Sequence, residues 1–172
     1  MWAMKRAQTF MIDAARVLGG RPRAPADWLD LLLGAGVGAA FVAAGLLKLT
    51  EPTAFARVIG DFGLVPKGLL LPTAVALPVL EIVGGVGLLR GRGWGLGLVA
   101  LLDLLFMAVL AYGLSLGLDI DCGCFGPDEP EARYHGTMRQ SLWRDAGFLA
   151  VLAYLFRRRR VRSRRSSAQP HP

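Results

Sequence analysis

Polar and apolar positions in this chain fall into long blocks. Four apolar stretches stand out, running roughly from Leu29 to Leu49, Gly68 to Leu89, Trp94 to Gly117 and Leu142 to Phe156. A helix needs about 20 mostly apolar residues to cross a bilayer, and the first three stretches have them. The fourth is shorter and carries Arg144 and Asp145 near its start. It reaches spanning length by beginning near Arg139, or by leaving its polar start among the headgroups. The pattern predicts an all-α integral membrane protein, a compact four-transmembrane-helix bundle.

Ahead of the first block, Phe10, Met11, Ala14 and Val17 recur at helical spacing, which fits a short amphipathic helix or a disordered basic lead. The first block is too long, and begins too late, for a cleaved signal peptide, so it is read as an uncleaved span. Three regions follow: a basic segment over 1–27, the four-span membrane domain over 28–156, and a basic disordered tail over 157–172. At 172 residues, with 22 glycines and a formal charge of +7, the chain is long enough for one domain but is not a typical soluble one.

Charge sets the orientation. Fourteen of the 20 Lys and Arg residues lie in the N-terminal segment, the Arg90–Arg92 link and the tail "RRRRVRSRR". The positive-inside rule puts all three in the cytoplasm, so both termini face inward and the two remaining loops face outward. A multi-pass membrane protein is expected, with the arginine tail favouring anionic headgroups. The basic residues sit beside apolar runs, not on an aromatic-interleaved surface. Nucleic acid is therefore excluded as a partner, and the bilayer is the partner the sequence announces.

The only two cysteines are Cys122 and Cys124, within "DIDCGCFGPDEP" in the second outer loop. On an oxidising side, such a pair is expected to spend much of its life as a disulfide. Two extended residues span at most roughly 7 Å, near the upper limit for bridged Cα atoms, so the chain must bend at Gly123. So small a ring should be strained and easily reduced. Asp119 and Asp121, with Asp128, Glu129 and Glu131 beyond, disfavour the thiolate. The pair thus suits an electron acceptor better than a resting nucleophile. A loop staple is the bland alternative, although closing so short a loop stabilises little. Metal binding is the third: with His135 as the only nearby imidazole, the set falls short of the usual four zinc ligands, and no metal site is assigned.

Two acids lie deep in the spans. Glu81 and Asp103 are each nine residues from their cytoplasmic boundary, roughly 13 Å in at helical rise. Acids at that depth mark a functional path or a paired site, and two so close do not both ionise easily. A proton relay or the border of a quinone site is one possibility. The other is a packing role, with Pro78 freeing a carbonyl nearby. Lys48, at the outer end of the first span, reads as a snorkelling anchor. Arg144 and Asp145 either pair with each other or line the space below the cysteine loop. Gly34 with Gly38, and Gly93 with Gly97, have the spacing that lets helices approach closely, and are assigned to packing.

Taken together, "AGLLKLTEP", "LPVLEIVGGVGLL" and "DCGCFG" resemble the methylamine utilisation protein MauE family, within the wider DoxX-like membrane group. The likeness runs from about Gly34 to Phe156, and "DCGCFG" is its most specific part. It implies a four-helix inner-membrane protein that supports the maturation of a periplasmic redox enzyme, alongside a thioredoxin-like partner. In the methylamine system that enzyme is the dehydrogenase with a disulfide-rich subunit. Lys48 matches the family's lysine after the first span, Glu81 its intramembrane glutamate, and Cys122 and Cys124 its outer cysteine pair. Asp121, Gly123 and Phe125 belong to the same motif as supporting residues. The expected function is thiol–disulfide exchange at Cys122 and Cys124, with Glu81, Asp103 and Lys48 in support. A non-catalytic membrane scaffold and a proton-coupled small-solute transporter are the competing classes.

Overall fold

The computed structural model describes residues 25–117 and 138–167. Over these the chain forms α1 (Pro25–Thr50), α2 (Pro52–Asp61), a 3-10 turn at Lys67–Leu69, α3 (Leu70–Leu89), α4 (Gly93–Ser115) and α5 (Met138–Ser167). The N-terminal lead that was expected to be amphipathic or disordered lies outside the described residues.

Local chemistry sets the boundaries. Pro25 opens α1, where its missing N–H costs nothing. The helix stops because Glu51 precedes Pro52, and a residue before proline is pushed out of helical geometry; Glu51 has φ −135° and ψ 72°. Its carbonyl accepts the N–H groups of Ala54 and Phe55 at 3.1 and 3.2 Å, so α2 begins at once. Between α3 and α4 the link is only Arg90–Arg92. Gly91 turns it with φ +66° and donates to the Leu88 carbonyl at 2.8 Å, a conformation that a Cβ would disfavour. So short a link sends α4 back antiparallel to α3.

Among the described residues, three helical segments are long and apolar enough to cross a membrane: Asp27–Thr50, Lys67–Leu89 and Gly93–Ser115. The fourth stretch does not join them, because in α5 the apolar run is confined to Ala146–Phe156 between charged ends. Leu71, Val75, Val79 and Val83 form an exposed stripe along α3, as expected of a face turned to lipid.

Packing closes a ring: α1 lies on α3, α3 on α4, α4 on α5 and α5 back on α1. Its centre is filled by Val37 and Phe41 from α1, Leu96 and Val99 from α4, and Leu152 and Leu155 from α5. The close approaches involve partly different glycines from those the spacing singled out. A Cβ on Gly38 would meet the Gly85 carbonyl at 3.1 Å, as expected of a packing glycine, and Gly34 has ordinary contact with Leu155. On α4, however, Gly97 has nothing near it, and the tight residue is Gly95, where a Cβ would fall 2.4 Å from the Gly87 carbonyl carbon. Gly95 faces α3 and Gly97 does not, a distinction that residue spacing alone does not carry.

The tail also differs from expectation. Where a disordered segment was predicted from Arg157, α5 continues unbroken to Ser167. Arginine is a good helix former, and two of these arginines are tied down. Arg158 Nε lies 3.3 Å from Asp30 Oδ2, and Arg159 Nη2 donates to the Gly91 carbonyl at 3.1 Å.

A buried charge cluster as the candidate functional site

The ring brings five ionisable side chains together, from the last turn of α1, the middles of α3 and α4 and the early turns of α5. Gly45 starts the arrangement. A Cβ there would lie 2.7 Å from the Pro78 carbonyl and 3.2 Å from Glu81 Cβ, so the glycine lets α1 settle against α3 at the level of Glu81. Lys48 follows one turn later. Helical side chains lean towards the N-terminus, which brings its ammonium back to that level.

Lys48 Nζ donates to Glu81 Oε1 at 2.5 Å, and the two side chains are 4% and 1% exposed. The snorkelling role expected of Lys48 is therefore overturned, because an acid and two rings hold it inward. Its ammonium stands 4.7 Å from the Phe106 ring centroid and 5.4 Å from that of Phe55, within cation–π range.

Asp103 lies one turn before Phe106 on α4 and is 1% exposed. From α5 come Arg144 and Asp145, which pair with each other at 3.2 Å. Lys48, Glu81, Asp103, Arg144 and Asp145 all border one small cavity, with ≈ 30 Å³ open to the centre of a water-sized sphere. About 10–15 Å³ on that measure holds a water molecule. Glu81 Oε2 and Asp103 Oδ2 are buried and have no hydrogen-bond partner among the described residues. Such orphans are rare in interiors, and a water or a ligand group in the cavity would satisfy them. Glu81 faces the bundle interior, as the packing alternative has it, and its bond there is to Lys48.

Asp121, Cys122, Gly123, Cys124 and Phe125 lie outside the described residues. Their segment follows α4 and precedes α5 in the chain. Phe106 and all of α2 were missed. A faint signal existed for α2 in Pro52, followed by Ala54, Phe55, Val58 and Phe62 at helical spacing. Among the described residues, no group of three His, Cys, Asp or Glu side chains is arranged to hold a metal ion.

The sequence model of methylamine utilisation protein MauE matches residues 26–158. The chain belongs to this family. No curated protein and no solved structure matches it. The MauE match takes in all five helices as far as Arg158, and with them every member of the charge cluster and both cysteines. Together with the three apolar helices, it makes this a MauE-family membrane protein of methylamine utilisation.

Proposed function

We propose that this protein exchanges thiols for a disulfide at Cys122 and Cys124, and so supports the maturation of a periplasmic redox enzyme through a thioredoxin-like partner. The bundle crosses the bacterial inner membrane four times over 28–156, with residues 1–27 and 157–172 in the cytoplasm and the cysteine segment outside. Support for α5 as the fourth crossing comes from its ends. Trp143, 80% exposed, stands where an interfacial anchor belongs, and Arg157 onward supplies the cytoplasmic charge. From Met138 to Phe156 the helix is roughly 28 Å long, close to the thickness of a bilayer core.

One observation carries the proposal: five ionisable groups, two of them with carboxylate oxygens that have no partner among the described residues, border one buried cavity near the start of α5. In the exchange, a partner thiolate attacks one sulfur of the Cys122–Cys124 disulfide. That bond breaks as a mixed disulfide forms, and the partner's second thiol then displaces the bound cysteine. The partner leaves oxidised, and the pair here gains two electrons and two protons.

The test is the redox state of both cysteines in native membranes, read by alkylation across dithiol buffers of defined potential. Opening at mild potential, with Cys122→Ser or Cys124→Ser trapping a mixed disulfide, supports exchange. A bond that resists strong reductant leaves only a scaffold with a stapled loop.

A further inference from the structure

Beside the small polar cavity lies a larger one of ≈ 260 Å³, bounded by α2, the following link, and the facing halves of α3 and α4. Phe55, Ile59, Thr73, Leu77, Phe106 and Leu110 line it, and Lys48 stands in its wall. Lys48 also borders the polar cavity, so it divides an apolar chamber from a charged one. An ammonium has three donors. One reaches Glu81, and the Phe55 and Phe106 rings stand close by.

We propose that the larger cavity seats the ring of a lipid-soluble quinone, with one ring carbonyl accepting a hydrogen bond from Lys48 Nζ. Size permits it: an apolar cavity of about 150 Å³ is known to hold benzene, so this chamber takes a substituted ring. Polarity favours it over a lipid acyl chain. An acyl chain fills the space but offers Lys48 no acceptor, and a buried donor gains from having one. The two orphaned carboxylate oxygens, Glu81 Oε2 and Asp103 Oδ2, border the polar cavity on the other side of Lys48. They provide sites where a proton can wait.

The redox use of this site rests on the thiol-exchange proposal. When the reduced Cys122 and Cys124 close to a disulfide, two S–H bonds are lost and one S–S bond forms. The two electrons and two protons released convert quinone to quinol. The pair is then ready for another partner.

The experiment photolabels the full-length protein in lipid nanodiscs with an azido-benzoquinone bearing a decyl tail, and maps the labelled peptides. Competition is run with decylubiquinone and with a decyl arene of the same shape lacking both carbonyls. Label concentrated on α2 and the Leu105–Leu110 stretch, displaced at least tenfold better by the quinone than by the arene, is expected. Ile59→Trp, which fills the chamber, and Lys48→Met should each lower labelling at least tenfold. Equal competition by the arene, or label spread over all lipid-facing helices, overturns the proposal in favour of acyl chains. Mixed-disulfide trapping is measured on the same preparation. Trapping without quinone-selective labelling removes the quinone alone, and labelling without trapping removes thiol exchange alone.

Discussion

Lys48 and Glu81, 33 positions apart in sequence, form an ion pair of 2.5 Å in the interior of the bundle. The pair joins the last turn of α1 to the middle of α3 and forms one wall of the charged cavity. Breaking a buried pair by removing one partner costs about 3–5 kcal/mol, much of it from the charge left behind. Lys48→Met and Glu81→Leu should therefore each lower the detergent unfolding midpoint clearly. The double variant should recover most of the loss. Additive losses in a double-mutant cycle would show that the pair is not coupled.

The α3–α4 contact discriminates between two glycines only two residues apart. Gly95→Ala puts a methyl group where the Gly87 backbone already stands, and overpacking of this kind costs about 1–3 kcal/mol. Gly97 has open space, and alanine there removes glycine's helix penalty of roughly 0.5–1 kcal/mol. Thermal unfolding in one detergent should rank Gly97→Ala at or above the parent and Gly95→Ala well below. The reverse order would mean that α3 and α4 do not pack as described.

At the opposite end, Arg158 lies 3.3 Å from Asp30 and 4.0 Å from Asp27. Because Arg158 is about one-third exposed, water and salt screen the interaction, and a pair of this kind contributes less than about 1 kcal/mol. Asp30→Asn is expected to shift the unfolding midpoint slightly at low ionic strength and hardly at all at high. A large, salt-independent drop would point to a packing role for Asp30.

Orientation has its own test. A membrane-impermeant maleimide added to reduced spheroplasts should label Cys122 and Cys124, while a reporter fused after Pro172 should respond only as a cytoplasmic one. Protection of the cysteines from reagent, together with an external tail, would invert the topology.

Much of this was legible in the sequence, for reasons that also explain what was not. Apolar run length located α1, α3 and α4 to within a few residues, because a bilayer imposes length and hydropathy together. Glu81 and Asp103 stood out because acids are rare in such runs, and both border the small cavity. That Lys48 turns inward was not readable. Its position near a helix end suits an interfacial lysine equally well, and only the approach of α1 to α3 at Gly45 decides between the two. Helix α2 escaped because its few apolar residues gain meaning from the chamber they help enclose, and Gly95 because one face of an all-apolar helix looks like another. The persistence of α5 through its arginines depended on partners at Asp30 and Gly91, distant in sequence.

Beneath Glu81, Gly38 against Gly85 and Gly87 against Gly95 bring three helix backbones almost into contact. Backbones packed so closely leave no width for a file of water, and therefore no wire for protons. The charged chamber thus stands above two dry seams, one on each side of α3. Under the proposed thiol exchange, those seams would keep its protons from discharging the voltage across the membrane.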